Sequence, residues 1–198
     1  MMDAKFDLVI VGVGGQGTLL ASKILGRLAV AQGLGVKVSE VHGMSQRGGS
    51  VITHVRVGDA VHAPLVTMGT ADFLLSFEAL EAARAAGYLK PNGVAIVNSQ
   101  RIMPMPVITG AAAYPEDTLG QSALPQHTLE AVDALALAVE AGSQKAVNLV
   151  LLGMLSRHLP FEVEAWKQAI ATSVPRATLA TNIKAFEAGR TQHEPLPA

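Results

Sequence analysis

Residues 6–17 read Phe-Asp-Leu-Val-Ile-Val-Gly-Val-Gly-Gly-Gln-Gly, a nearly unbroken apolar run that closes on four glycines in six positions. Apolar residues on successive positions, without polar alternation, suit a strand covered on both faces, which is the setting of a parallel sheet. Thr18 to Ala31 follows with Leu19, Leu20, Ile24, Leu25 and Leu28 at helical spacing, stopped by Gly33, and Val36 to Val41 reads as a second strand. Strand, helix and strand in that order make a βαβ unit.

The same alternation continues. Ala71 to Phe77 and Val94 to Asn98 read as strands separated by an alanine-rich helix from Glu78 to Ala86, and Leu129 to Ala134 as a short strand entering a helix that stops at Gly142. Beyond it the chain reads as helical: Ser143 to Leu159 ended by Pro160, Phe161 to Thr172 by Pro175, and Arg176 to Ala188 by Gly189. Ser50 to Val57 alternates, Gly58-Asp59 turns, and Ala60 to Pro64 runs back, which predicts a hairpin. The expectation is an α/β fold, a three-layer Rossmann-like parallel sheet with an inserted β-hairpin and a helical C-terminal segment. It spans 1–190 as one domain, with a loose tail over 191–198.

Composition narrows the function classes. With 15 Lys+Arg against 16 Asp+Glu, the net charge of −1 lacks the basic stripe of a nucleic-acid binder. The absence of cysteine excludes disulfides, thiolate zinc sites and iron–sulfur clusters held by this chain. The longest apolar runs, 149–155 and 134–139, fall far short of the roughly 20 residues that span a bilayer. The N-terminus has neither the basic start nor the cleavage site of a secretory signal, so a cytoplasmic location is expected. The six histidines show no metal-binding spacing, and no metal site is expected.

Two glycine loops carry the chemistry. Gly12-Val13-Gly14-Gly15-Gln16-Gly17 satisfies the dinucleotide pattern between strand and helix, where backbone N–H groups can approach a phosphate at the positive helix end. Glu40 stands about where a ribose-binding acid would be expected. Thr18-Leu19 occupies the place of the Lys and Ser/Thr of a phosphate-loop ATPase, which disfavours ATP hydrolysis. The second loop, Glu40-Val41-His42-Gly43-Met44-Ser45-Gln46-Arg47-Gly48-Gly49-Ser50, sets His, Ser, Gln and Arg among three glycines just after the second strand. In an open parallel sheet it should share the ligand-binding edge with the first loop, Glu78 and Asn98-Ser99. Arg47 could grip a phosphate or carboxylate or be a solvated turn residue, and Gln16 or Gln46 could hold an amide or carbonyl. Glu78 reads as a first-turn acid favoured by the helix dipole.

The pairing of Val-Gly-Val-Gly-Gly-Gln-Gly (11–17) with Glu-Val-His-Gly-Met-Ser-Gln-Arg-Gly-Gly-Ser-Val (40–51) resembles the gamma-type domain of 2-oxoacid:ferredoxin oxidoreductases. The second loop is closest to the beta subunit of indolepyruvate ferredoxin oxidoreductase. Val55-Arg56, Ala71 through Glu78, Asn148 to Ser156 and Asn182 to Gly189 are also similar, so the likeness spans almost the whole chain.

That resemblance implies oxidative decarboxylation of an arylpyruvate to an acyl-CoA, with ferredoxin as electron acceptor. Thiamine diphosphate, Mg²⁺ and the iron–sulfur clusters are implied to sit on a larger alpha-type subunit. This chain lacks both cysteines and a Gly-Asp-Gly motif with its asparagines. It would then complete the site and help handle coenzyme A, contributing no catalytic residue. Gly12, Gly14, Gly15, Gln16, Gly17 and Thr18, with Ser45, Gln46, Arg47, Gly48 and Gly49, would form the edge facing coenzyme A or the partner. The Val51–Pro64 hairpin is the expected docking element, and apolar surface left bare would let the lone chain form homodimers. The residues themselves leave two rivals open: an independent NAD(P)- or flavin-binding Rossmann-type protein, and a scaffold whose glycines serve only packing.

Overall fold

The computed structural model describes residues 4–42, 49–120 and 127–192. In chain order the elements are β1 (Phe6–Val13), α1 (Thr18–Ala31), β2 (Gly35–His42), β3 (Ser50–Gly58), β4 (Ala71–Ser76), α2 (Ala79–Ala85) and β5 (Leu89–Asn98). They continue with α3 (Met105–Ile108), β6 (Thr128–Val132), α4 (Ala134–Ala141), α5 (Val147–Leu155), α6 (Val163–Ala171) and α7 (Leu179–Thr191). The six strands form one sheet in the order β2-β3-β1-β4-β5-β6. β1, β4, β5 and β6 are parallel, while β3 runs antiparallel to both β1 and β2.

Successive side chains of β1 enter different cores, as a strand covered on both faces requires. Leu8 and Ile10 join the core to which α1, α5 and α7 contribute, whereas Val9 and Val11 join the one that holds the buried face of α2 and Val66 from the strap after β3. The result is the expected three-layer α/β architecture. At the centre of the larger layer all nine residues of α5 are buried, so this helix is apolar all round.

The inserted hairpin exists but is built differently from the expectation. Its two arms are β2 and β3, paired from Gly35–Gly58 to His42–Val51. β3 is an internal strand, with Val51, Thr53, His54, Val55 and Val57 all buried. Both of its edges are occupied, so Ala60 to Pro64 has no free edge to pair with and crosses the sheet as an irregular strap. A protruding Val51–Pro64 docking hairpin is therefore excluded.

The last helix also differs, running through Gly189 to Thr191. Gly189 is there for contact: a Cβ on it would lie 1.9 Å from the Val150 carbonyl oxygen, and one on Gly153 would lie 2.1 Å from that of Phe186. The backbones of α5 and α7 touch at these two glycines. Of the expected 191–198 tail, residues 193–198 lie outside the described residues. Among the described residues no helix is long and apolar enough to cross a membrane.

Candidate functional site

The carboxyl ends of β1, β2, β4, β5 and β6 and the start of β3 share one edge of the sheet. The first glycine loop, Gly49, Glu78 and Asn98-Ser99 are thereby brought together. Gly14 N donates to Gly49 O at 2.9 Å, which ties the two glycine loops. Ser45, Gln46, Arg47 and Gly48 lie outside the described residues.

The first loop is held by Gln16. Its Oε1 accepts from Val13 N at 2.7 Å and its Nε2 donates to Phe77 O at 3.0 Å. Phe77 O also accepts from Asn98 Nδ2 at 3.1 Å, and Asn98 Oδ1 accepts from Ala134 N at 3.1 Å. Four connections of the edge are thus stitched through one carbonyl and one buried asparagine. Both functional atoms of the Gln16 side chain are engaged in the fold, which gives the residue a positioning role in the loop. The Gln16 carbonyl also leaves no room for a side chain at Gly12, whose Cβ would lie 2.9 Å from it.

Gly15 and Gly17 hold φ of +100° and +94°, in the left-handed region that glycine enters without strain. Space over Gly15 is open, whereas a Cβ on Gly17 would meet Asn148 Nδ2 at 2.9 Å. Gly17 caps α1 without a side-chain hydrogen bond, and no acid stands in the first turn. The N–H groups of Thr18 and Leu19 find no acceptor among the described residues. An uncapped 14-residue helix presents positive potential at that end.

Above it opens a pocket of about 500 Å³ lined by Gly15, Gln16, Gly17, Leu20, Gln100, Leu135, Gln144, Lys145, Val147 and Asn148. Gln100, Gln144, Lys145 and Asn148 escaped sequence reasoning, because they come from the segment after β5, the α4–α5 connection and the first turn of α5, far along the chain. One signal was available: Asn148 is the only polar residue of α5. It is buried at 2% exposure against the glycine loop.

Two acids behave otherwise than a dinucleotide site would require. Glu40 lies on the edge strand β2, opposite Thr53 of β3, and accepts from its hydroxyl at 3.0 Å. β3 stands between β2 and β1, so Glu40 is two strand spacings, roughly 9–10 Å, sideways from the glycine loop. That removes it from the place of a ribose-binding acid. Glu78 is structural, as expected: its Oε2 caps α2 by accepting from Glu81 N at 2.9 Å. Its neighbour Glu81 takes a 2.5 Å hydrogen bond from Ser50 Oγ, anchoring the end of the second loop.

Residues 7–192 match the family model described as pyruvate ferredoxin/flavodoxin oxidoreductase. The indolepyruvate oxidoreductase subunit IorB of Thermococcus kodakarensis is 43% identical over 196 residues, covering 93% of this chain and 94% of its own. The protein of the same description from Archaeoglobus fulgidus is 41% identical over 192 residues, covering 95% of each chain. Among solved structures, the gamma subunit of a keto/oxoacid ferredoxin oxidoreductase from Geobacter sulfurreducens superposes with a TM-score of 0.68 at 24% identity, covering 93% of this chain and 95% of its own. The 2-oxoglutarate:ferredoxin oxidoreductase of Magnetococcus marinus gives 0.72 at 18% identity, covering 94% of this chain and 30% of its own, so the same fold is one part of a much longer polypeptide. The crest of two tied glycine loops on a mixed six-stranded sheet, matched from Asp7 to Gln192, assigns this chain to the pyruvate ferredoxin/flavodoxin oxidoreductase family.

Proposed function

We propose that the chain is the smaller, thiamine-free subunit of a cytoplasmic 2-oxoacid:ferredoxin oxidoreductase acting on indolepyruvate or a related arylpyruvate. The match along nearly the whole chain to indolepyruvate oxidoreductase subunits carries this reading. In the reaction the C1–C2 bond of the 2-oxoacid breaks, CO₂ leaves, an acyl-CoA thioester forms and two electrons pass to ferredoxin. Thiamine diphosphate, when bound, supplies the carbanion stabilisation. In this reading it belongs with Mg²⁺ and the iron–sulfur clusters on a larger alpha-type subunit. The donor set agrees, since a chain without cysteine offers no thiolate for a cluster.

Gly12, Gly14, Gly15, Gln16, Gly17 and Thr18, with Ser45, Gln46, Arg47, Gly48 and Gly49, form the edge that faces coenzyme A or the partner. The pocket suits a diphosphate: Gly15 sets no Cβ in its path, the first turn of α1 is uncapped, and Lys145 stands on the rim.

The test is reconstitution of this chain with the larger subunit, supplied with indolepyruvate, coenzyme A and a viologen acceptor. Viologen reduction is expected only with both chains present. Arg47→Ala should keep fold and association while raising the KM for coenzyme A by roughly tenfold or more, the worth of a charge-assisted bond. Unchanged coenzyme A kinetics would remove Arg47 and its loop from the site. No turnover of any arylpyruvate, with tight binding of NAD or a flavin to this chain alone, would replace the reading with the Rossmann-type alternative.

A further inference from the structure

Between β5 and β6 the chain makes an excursion whose composition is unlike that of a solvated loop. Ile102 to Tyr114 reads Ile-Met-Pro-Met-Pro-Val-Ile-Thr-Gly-Ala-Ala-Ala-Tyr, without one charged residue. Single exposed apolar residues are ordinary on a protein surface, but here three large ones gather on one segment. Met103, Met105 and Ile108 are 46%, 65% and 65% exposed.

The excursion is built, not slack. Ile102 N and the Tyr114 hydroxyl donate to the same buried oxygen, Glu78 Oε1, at 3.0 and 2.6 Å, so one carboxylate draws both ends of the segment together. Burial and the Glu78 carboxylate push the Tyr114 phenol well above its ordinary pKa, which keeps it a donor. Inside the segment, Thr109 Oγ1 donates to Met105 O, and the N–H groups of Ala111 and Ala112 both donate to Pro106 O. The geometry is that of a compact loop with joined ends presenting an apolar tip.

We infer that residues 102–114 form a docking arm that seats Met103, Met105 and Ile108 in an uncharged apolar groove of the larger subunit. This rests on the function proposed above. Its root fixes the occupant. Gln100 lines the glycine-loop pocket and accepts from Ala79 N through its carbonyl, two residues before the arm begins. Glu78, which holds both ends of the arm, also caps α2, whose Glu81 anchors the end of the second glycine loop. Arm, pocket and glycine loops are therefore one continuous crest, and a larger subunit seated on that crest meets the arm. A second copy on the arm would obstruct that same crest. Methionine suits the task, since an unbranched thioether adapts to the shape of a groove.

The test compares the wild-type chain with the double variant Met105→Asp/Ile108→Asp, using the full chain and the larger subunit. Association is measured by biolayer interferometry, and the mass of the lone chain by sedimentation. The expected result is association weakened at least a hundredfold with unchanged lone-chain mass and melting temperature, because both side chains are exposed. Should the acidic pair fail to fold, Met105→Ser/Ile108→Thr is the milder substitute, with a tenfold loss expected. Association within threefold of wild type overturns the arm while leaving the subunit reading intact. A drop in lone-chain mass on substitution also overturns it, giving the arm to self-association. A wild-type chain that never binds the larger subunit overturns the subunit reading, and the arm with it.

Discussion

Gln16 braces the glycine loop with two hydrogen bonds from one side chain, one to Val13 N and one to Phe77 O just past β4. Gln16→Ala leaves Val13 N without its acceptor, while Phe77 O keeps Asn98 Nδ2. The expected cost is about 1–3 kcal/mol, read as a lower urea midpoint at unchanged slope. An unchanged midpoint would show that water replaces the glutamine. At this scale the sequence was legible where backbone conformation dictates residue type: the glycines expected to shape the loop do so, two of them at positive φ. It was not legible where the same residue type serves ligand or fold. Gln16 was open to either role, and only the positions of Val13 N and Phe77 O reveal the one it plays in the fold. Glu40 misled for a related reason, because its distance from the loop depends on which strand lies next to β1.

Among the elements, α5 and α7 meet through Gly153 and Gly189, where added methyl groups would fall within 1.9–2.1 Å of carbonyl oxygens on the facing helix. Gly153→Ala or Gly189→Ala must push the helices apart, at a cost of about 3 kcal/mol. For a chain of this size that lowers Tm by roughly 6–12 °C in a calorimetric scan. Gly26, inside α1 with open space around its would-be Cβ, supplies the contrast. Gly26→Ala should stabilise by about 0.5–1 kcal/mol through helix propensity alone. A glycine late in a helical stretch reads in sequence as a stop. At Gly189 the reading failed because close packing with a distant helix asks for the same residue. Periodicity did locate β1 and α1 at their observed bounds, since each carries its own burial pattern.

For the molecule as a whole, acid stability joins two distant sites. His54 is buried with Nδ1 accepting from Val66 N at 3.3 Å, and burial holds its pKa below 6.5. Unfolding therefore takes up a proton there, so stability falls as pH drops below 6.5 towards the folded value. Glu130 on β6 is paired with His158 and Arg157, and contact with His158, then the Arg157 charge, lowers its pKa below 4.5. Its stabilisation is present above 4.5 and is lost as pH falls through the folded value. Urea midpoints at pH 7.5, 5.5 and 4 should show His54→Gln with a flatter response between the first two. Glu130→Gln should be less stable than wild type at pH 7.5 and converge with it on the acid side. Parallel curves for all three proteins would discard both assignments. By itself the sequence determined what is local: the strand–glycine–helix start and the α/β alternation. Only the tertiary structure decided what is non-local. It set β3 between β2 and β1, made Gln16 and Asn98 the stitches of one edge, and joined the ends of an uncharged arm on one buried carboxylate. The physical reason is that periodicity and turn chemistry act over a few residues, whereas strand neighbours and shared hydrogen-bond partners depend on which distant segments bury each other.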